Sequence, residues 1–315
     1  MEPHAAAALA ESLYGLHVRR ATSLQPTSFD WREIMRLDTT DQGVWLLRML
    51  RLPEAAASYA QTAALLLWLE GAGYPAPRVR PTVAGQLVGS AGAWATLCVS
   101  FVAGATPTLT TTNFMALGAT LGRLHALPAD HAAFAPAQCH PDELQAAIEQ
   151  LAQAAAHAPE AVRPMLAALH SDMQRLLPAL DALALTHGDC WYQNAITTPD
   201  GTAVLIDWDG AGLGAPLLDL GYLLLTSHYD LAQPLVVVPD PARIAAIMRG
   251  YRMHAALPPA ASELLRPAVR FALALHFASY LQDTSPSDFN GPVLHKLQAR
   301  FDVSAAIALA AQRWC

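Results

Sequence analysis

The sequence predicts an α+β fold with two lobes, a small antiparallel β-sheet lobe that carries one helix and a larger, mainly helical lobe. Three observations lead to this prediction. The first hundred residues alternate between strand-like and helix-like periods, whereas six helix-like runs follow Gly104. A polar, non-helical segment, residues 186–214, interrupts the helical part and is dense in Asp, Gly and Trp. The predicted lobes are residues 1–103, with a hinge near 100–104, and residues 104–315.

The sheet of the smaller lobe is predicted from short runs of strand-like pattern. These runs are residues 18–24, 31–38, 44–50, 79–83, 86–88 and 94–102. Gly43 ends a polar stretch between the second and third runs, and glycine supplies the positive φ that hairpin turns need. The one predicted helix of this lobe, residues 53–70, has Pro53 in its first turn and is followed by Gly71 and Gly73.

The larger lobe is predicted to contain six helices, several of them separated by joints rich in Pro, Gly, Ser and Thr. The predicted helices are residues 114–127, 142–157, 160–180, 241–256, 260–283 and 291–314. No internal repeat of solenoid spacing is present in the sequence.

Composition excludes several classes of protein. Hydrophobic residues make up 53% of the 315 residues and charged residues 14%, so the chain can bury a large core and is not of the disordered class. A net charge of −7 gives nucleic acids and anionic membranes no electrostatic reason to bind. The single lysine, Lys296, excludes any mechanism that needs a lysine in the first half of the chain.

Cysteine spacing and hydropathy indicate a cellular compartment. The four cysteines form no C-x-x-C pair and no zinc-like cluster, so we expect reduced thiols. The N-terminus lacks the basic start and apolar run of a signal peptide, and no stretch of sequence reaches the length of a membrane span. We therefore expect a cytoplasmic protein.

The polar segment carries the residues expected to do chemistry. Asp189 and Asn194 lie five residues apart on a predicted loop, and Asp207 follows on a nearby turn. Phosphoryl transfer to an alcohol needs this set, because it depends on positioning and on neutralising charge with Mg²⁺. Asp189 would accept the proton of the acceptor hydroxyl, and Asn194 and Asp207 would hold the metal. A hairpin turn at residues 197–201 would bring Asp207 to face the loop.

Two motifs together resemble the aminoglycoside phosphotransferase and choline kinase family, whose members are relatives of the protein kinases. The motifs are His187-Gly188-Asp189 with Asn194, and Ile206-Asp207-Trp208-Asp209. Supporting matches are residues 73–77, 121–127 and 216–220. The resemblance implies a protein-kinase-like fold and transfer of the γ-phosphate of ATP, or of GTP, to a hydroxyl of a small molecule. Such an acceptor would be aminoglycoside-like, an amino alcohol or a sugar.

The resemblance also assigns roles around the two motifs. It implies that Asp189 is the catalytic base and that Asn194 and Asp207 are the Mg²⁺ ligands. His187 would brace the catalytic loop, although packing alone is an equal interpretation. Asp219 resembles a buried aspartate that accepts backbone N–H bonds near this loop.

The nucleotide would contact residues of both lobes, according to the same resemblance. Adenine would bond to backbone groups of the hinge at Ser100 to Val102. Ile206 would form an apolar wall, although a purely structural core position is the commoner alternative for such a residue. Thr27 and Ser28 would offer hydroxyl and N–H groups to the phosphates from a loop that contains no glycine, residues 25–30.

The sequence departs from the protein-kinase pattern on the third strand. Arg48 stands where those enzymes place a lysine against the α- and β-phosphates. Arginine keeps the charge and offers a fork of donors, but a solvent-exposed arginine is the alternative. No glutamate lies in the middle of the predicted helix 53–70, so the ion pair is absent or Gln61 replaces it as a neutral partner.

The acceptor site is predicted between the catalytic loop and the late helices. Two aromatic residues beside the base would cover a sugar or an ammonium group, or would simply pack the lobe. The candidates are Trp191, Tyr192, Asp283 and Asp288, with Asp230 and Glu263 in addition.

Two alternative functions remain open at this point. A nucleotide-binding pseudokinase or scaffold is suggested by the missing lysine, the missing helix glutamate and the loop without glycine. A protein Ser/Thr kinase of the same fold is the other alternative, but no activation segment with an Ala-Pro-Glu ending is present.

Overall fold

The structure is a computed structural model that describes residues 1–24, 32–51, 55–128, 134–229, 238–283 and 291–315. Two compact units make up the chain, Met1–Gly104 and Ala105–Cys315. The first is built on an antiparallel sheet and the second mainly on helices, so the predicted α+β class is confirmed.

The sheet of the first unit has six strands in the described residues. They are β1 (Val18–Ser23), β2 (Arg32–Thr39), β3 (Val44–Leu50), β4 (Val79–Arg80), β5 (Gly89–Ala91) and β6 (Trp94–Ser100). Their order is β1-β2-β3-β6-β4, with β5 also paired to β6. The strand predicted at 86–88 is wrong, because Thr82 and Gln86 are joined by a backbone bond across a turn and pairing begins only at Gly89. Pro81 lacks an N–H and ends β4 early.

Two helices belong to this unit in the described residues, α1 (Pro3–Tyr14) and α2 (Ala55–Gly71). The sequence predicted α2 but not α1, whose buried face consists of Ala6, Ala10 and Tyr14. That face packs on the sheet, and the Tyr14 hydroxyl donates to the backbone oxygen of Thr96 over 2.9 Å. Two alanines give a weak hydrophobic period, so the helix escaped prediction.

Seven helices form most of the second unit within its described residues. They are α3 (Thr111–His125), α4 (Pro141–His157), α5 (Arg163–Leu176), α6 (Pro216–Thr226), α7 (Pro241–Arg252), α8 (Ala261–Asp283) and α9 (Pro292–Gln312). The sequence did not predict α6, because every residue from Leu217 to Thr226 is buried and the helix has no polar face to set a period. None of the helices in the described ranges is long and apolar enough to span a membrane.

Four short strands interrupt these helices in two pairs. Strands β7 (Ala184–Thr186) and β10 (Gly212–Gly214) pair antiparallel, as do β8 (Ala195–Thr197) and β9 (Ala203–Leu205). The polar segment predicted to carry chemistry therefore consists of two small hairpin-like ladders joined by tight turns. This arrangement places the chain between β7 and β8 beside the residues that follow β9.

Candidate active site

The catalytic loop leaves β7 and makes a sharp turn at Gly188. Its φ of 81° lies in the left-handed region, which side chains rarely adopt. A Cβ on this residue would lie 2.1 Å from the backbone oxygen of Gly210, so glycine is required for space as well as for φ. The turn brings the next residue, Asp189, out of the strand and beside the segment that contains Asn194 and Asp207.

Asp219, in the first turn of α6, holds the backbone of this loop. Its Oδ2 accepts from the N–H of His187 over 2.7 Å, and its Oδ1 accepts from the N–H of Gly188 over 3.2 Å. His125 Nε2 lies 3.1 Å from Oδ2, and His125 Nδ1 lies 2.9 Å from the hydroxyl of Tyr251. The carboxylate is fully buried. Burial alone would raise the pKa of Asp219, but these hydrogen bonds and the histidine charges hold it below its ordinary value.

Both oxygens of the Asp189 carboxylate are held by hydrogen bonds. Asn194 Nδ2 donates to Oδ2 over 2.7 Å, and the hydroxyl of Tyr222 donates to Oδ1 over 2.6 Å. Burial raises the pKa of Asp189 above its ordinary value. The hydrogen bonds from Tyr222 and Asn194 lower this pKa, and the charge of Asp207 raises it further. The result is a fixed carboxylate with a stronger affinity for a proton than an exposed aspartate has.

Asp207 follows the second hairpin in a strained conformation. The N–H of Ile206 donates to the backbone oxygen of Asn194 over 2.9 Å, which ties the two segments together. Asp207 then adopts φ 62° and ψ 66°, and it is the only described residue other than glycine with positive φ. Such a conformation costs on the order of 1–3 kcal/mol and is found mostly at functional sites.

The side chain of His187 connects the same two segments. Its Nε2 lies 3.0 Å from the backbone oxygen of Ile206, to which only an N–H can donate. Its ring meets the ring of Trp208 edge to face, with the centroids 4.8 Å apart. The side chain is completely buried, so the position matches the predicted bracing of the loop and equally the packed alternative.

Asn194 and Asp207 have the chemistry that a hard divalent cation requires. Both N–H groups of the Asn194 amide are directed at Asp189, one at the carboxylate and one at the backbone oxygen over 3.0 Å. The amide oxygen is therefore the atom that can face a cation, together with the carboxylate of Asp207. In the described parts of the chain no three His, Cys, Asp or Glu side chains cluster as a metal site. Two oxygen ligands are nevertheless enough for Mg²⁺, which usually keeps waters and phosphates as its other ligands.

The first unit contains the other residues predicted to bind the nucleotide, except Ile206. Arg48 of β3 is 7% exposed, so the solvent-exposed alternative is wrong. Its guanidinium carbon lies 5.7 Å from the centre of the Tyr59 ring on α2. Gln61 is exposed, so the structure does not support its role as a neutral partner of Arg48. Glu70, at the end of the predicted helix 53–70, pairs with Arg78 over 2.9 Å.

Some backbone groups of the hinge already form hydrogen bonds within the first unit. Ser100 donates its N–H to Arg78 and accepts the N–H of Arg78 on its hydroxyl, both over 2.8 Å. The N–H of Phe101 donates to Val44. Val102 follows these bonds and is half-buried, as is Ile206 in the second unit. Of the remaining predicted contacts, Thr27 and Ser28 lie outside the described residues.

The predicted acceptor residues fall into different environments. Tyr192 is buried, and its ring meets Phe114 and Trp191 edge to face at 6.5 and 5.6 Å, so the packing interpretation fits Tyr192. Trp191 is half-buried. Asp283 is the last residue of α8, Glu263 is exposed in its first turn, and Asp230 and Asp288 lie outside the described residues.

Sequence reasoning missed Tyr222 and His276. Tyr222 lies three residues after Asp219 on α6 and reaches Asp189, and His276 Nε2 lies 3.5 Å from the Tyr222 hydroxyl. For Tyr222 a signal was available, because residues three apart on a helix lie on the same part of its surface and Tyr222 is three residues from Asp219.

Comparison with known families decides which enzymes the chain is related to. The model of the phosphotransferase enzyme family matches residues 28–264. The chain belongs to this phosphotransferase family. The predicted family and enzyme class are thereby confirmed, and the chain is a phosphotransferase of the small-molecule kinase class.

Solved structures of kinases share the fold along nearly the whole chain. One is an amicoumacin kinase in complex with AMP-PNP, Ca²⁺ and Ami, with 17% identity, 97% of this chain and 94% of that chain covered, and a TM-score of 0.70. A macrolide 2′-phosphotransferase from Brachybacterium faecium has 20% identity, coverage of 95% and 97%, and a TM-score of 0.64. A microcompartment-associated aminopropanol kinase has 17% identity, coverage of 99% and 100%, and a TM-score of 0.65. No curated protein sequence matches the chain.

Proposed function

We propose that the chain transfers the γ-phosphate of ATP, or of GTP, to a hydroxyl of a small molecule, with Asp189 as the base. The observation that carries this proposal is the Asp189 carboxylate, buried and held on both oxygens by Asn194 and Tyr222. Family membership supports the phosphoryl transfer. The kinases of known structure with the same fold support a small acceptor, since they are described as acting on amicoumacin, macrolides and aminopropanol.

Asp189 would act by orienting and then accepting a proton. Each carboxylate oxygen keeps a second lone pair after it accepts its bond from Asn194 or Tyr222. The incoming hydroxyl donates its hydrogen to one of these lone pairs. A lone pair of the hydroxyl oxygen then points away from the carboxylate and toward the phosphorus. As the new P–O bond forms, the bond between the γ-phosphorus and the β,γ-bridging oxygen breaks, the nucleoside diphosphate leaves, and the hydroxyl proton passes to Asp189. Because burial raises the pKa of Asp189, the carboxylate takes this proton more readily.

Asn194 and Asp207 would hold Mg²⁺ through the amide oxygen and the carboxylate. A bound Mg²⁺ would neutralise the phosphate charge as the phosphoryl group is transferred. The strained backbone of Asp207 would direct this carboxylate, and the backbone bond from the Ile206 N–H to the Asn194 oxygen would keep the two segments together. A kinase of the same fold that is described in complex with AMP-PNP and Ca²⁺ supports a divalent cation beside the nucleotide.

The nucleotide contacts are proposals at the level of single residues. We assign nucleotide binding to the lobe of residues 1–103 and the catalytic loop and acceptor site to residues 104–315. Adenine would bond to the backbone near Ser100 and Val102 and lie against Ile206. The buried guanidinium of Arg48 would face the α- and β-phosphates with its fork of donors. Thr27 and Ser28 would add contacts to the phosphates.

A reducing compartment, and hence a cytoplasmic location, is part of the proposal. All four cysteines are free thiols, and three of them are buried. Free thiols with no disulfide partner are typical of proteins kept in a reducing environment.

A screen of ATP consumption tests the proposed function. The purified chain is assayed with Mg²⁺ against aminoglycosides, macrolides, amino alcohols, hydroxy acids and sugars, with and without a chelator. We expect Mg²⁺-dependent release of ADP that rises with one acceptor class, and a mass increase of that acceptor by one phosphoryl group. ADP release that no acceptor stimulates, or transfer to a generic protein substrate alone, would contradict the proposal.

A further inference from the structure

Polar side chains continue from Asp189 along α6 toward α8 and α9. The Tyr222 hydroxyl that donates to Asp189 also lies 3.5 Å from His276 Nε2 of α8, and the two rings meet edge to face at 6.0 Å. Tyr229 lies in the turn after α6, and Arg300 of α9 stacks on its ring with the guanidinium carbon 3.5 Å from the centroid. We call these four residues, Tyr222, Tyr229, His276 and Arg300, the acceptor-side cluster.

Arg300 carries a half-buried positive charge. In the described part of the chain it forms no ion pair, and its Nε is buried with no hydrogen-bond partner. His276 Nδ1 is likewise buried and unpartnered. Arg270, on the neighbouring α8, shows the contrast, because its Nη1 donates to Asp172 over 2.6 Å and its Nε donates to Ser304 over 2.8 Å. A partly desolvated guanidinium is unfavourable unless an anion or other acceptors complete it.

The cluster contains one positive charge and no negative charge of its own. Burial, and then the charge of Arg300, lower the pKa of His276 to about 4, so its ring is neutral at physiological pH. Burial, and then the charge of Asp189, raise the pKa of Tyr222, so its hydroxyl stays protonated. The nearby carboxylates of α5 and α9 are engaged elsewhere, Asp172 with Arg270 and Asp302 with Gln298.

We propose that the acceptor carries an oxyanion, a carboxylate or a phosphate, which pairs with Arg300 while its hydroxyl meets Asp189. This inference rests on the proposed function and names the substrate class of the same site. An anion completes the hydrogen bonds of the guanidinium and gains a charge-assisted contact. An ammonium group at this position would meet the like charge of Arg300 in a partly desolvated site, which disfavours polycationic acceptors.

A matched series of acceptors with the purified full chain tests this proposal. Glycerate, glycerol 3-phosphate, glycerol and serinol share one carbon skeleton and differ in charge, and the first two distinguish carboxylate from phosphate. We expect a higher kcat/KM with one or both anions than with glycerol or serinol. Arg300→Gln should lower kcat/KM for the anion about 10- to 100-fold, mainly through KM, and should lower kcat/KM for glycerol by a much smaller factor. Arg300→Lys should keep part of the preference, and the exposed Arg313→Gln, at the end of α9, should change nothing.

The outcomes separate this proposal from the proposed function. Preference for serinol or an aminoglycoside that Arg300→Gln leaves unchanged would overturn the anionic acceptor and leave the kinase assignment standing. An equal loss on all acceptors with both Arg300 variants, accompanied by a lower melting temperature, would also overturn it, because Arg300 would then act only by stacking on Tyr229. If no acceptor in the wider screen is phosphorylated in a Mg²⁺-dependent way, the proposed function itself is contradicted.

Discussion

Two polar clusters each bring one residue of α6 to the catalytic loop, and they differ in how completely their hydrogen bonds are satisfied. The loop-holding cluster consists of Asp219, His125 and Tyr251, and it bonds the N–H groups of residues 187 and 188. The acceptor-side cluster begins three residues later on α6 with Tyr222 and contains unpartnered atoms on His276 and Arg300.

The difference separates a stabilising role from a functional one. A fully satisfied network fixes one backbone geometry, because any departure leaves buried groups without partners. A partly satisfied network keeps donors and acceptors available for a ligand, and such groups in a folded protein call for an explanation of this kind. Changes in the loop-holding cluster should therefore affect stability first, whereas changes in the acceptor-side cluster should affect turnover first.

Asp219→Ala should have the largest effect on stability. It leaves two backbone N–H groups and His125 buried without their acceptor, which should cost about 3–5 kcal/mol in the free energy of unfolding. Urea unfolding followed by circular dichroism measures this. Asp240→Ala is a matched control, because Asp240 also accepts two backbone N–H bonds at a helix start but is partly exposed, and it should cost only about 1 kcal/mol.

Stability at low pH sharpens the same prediction. The pKa of Asp219 is lowered in the folded protein, so its contribution is present above the unfolded value of about 4 and is lost as pH falls through the folded value. The unfolding free energies of the parent and of Asp219→Ala should converge in acid. A gap that stays constant down to acid unfolding would show that the Asp219 charge does not hold the loop.

Tyr222→Phe should lower turnover with little loss of stability. It removes one hydrogen bond to the Asp189 carboxylate, so kcat should fall about 10-fold or more while KM for the nucleotide stays unchanged. Tyr251→Phe removes a hydroxyl from the loop-holding cluster and should do the reverse, costing about 1 kcal/mol of stability with kcat nearly intact. Equal effects of the two variants on kcat would erase the distinction between the clusters.

The acid limb of the rate profile should show the smallest of these effects. The pKa of an ordinary aspartate lies near 4. Because burial raises the pKa of Asp189, the fall of kcat/KM with decreasing pH should begin at a higher pH than for an ordinary aspartate. The Tyr222 bond favours the ionised carboxylate, so Tyr222→Phe should move the limb to higher pH. A limb that moves to lower pH in this variant would contradict the role of the hydroxyl.

The sequence predicted those parts of the site that lie close together along the chain. Asp189 and Asn194 are five residues apart and do meet at 2.7 Å, and the hairpin before Asp207 was visible as a turn. Tyr222 and His276 belong to no local motif, because they lie 54 residues apart on two different helices and Tyr222 is 33 residues from Asp189. Tertiary packing alone brings them to the loop.

The helices show the same limit. Amphipathic helices such as α4 and α7 were predicted within a few residues, since one face is apolar and the other polar. The wholly buried α6 and the alanine-rich α1 have no such contrast, so the pattern was silent there. The pattern of residues 44–50 predicted the strand that contains Arg48. The contact between Arg48 and Tyr59 could not be predicted, because it depends on how α2 packs on the sheet.

Turnover by Asp189→Asn tests the central claim most directly. The amide cannot accept the hydroxyl proton, so kcat should fall by about 10²–10⁴ while the affinity for the nucleotide, measured by calorimetry, stays that of the parent. The exposed Asp181→Asn serves as the control and should retain full activity. Parental turnover in Asp189→Asn would contradict the account, because the base would then lie elsewhere.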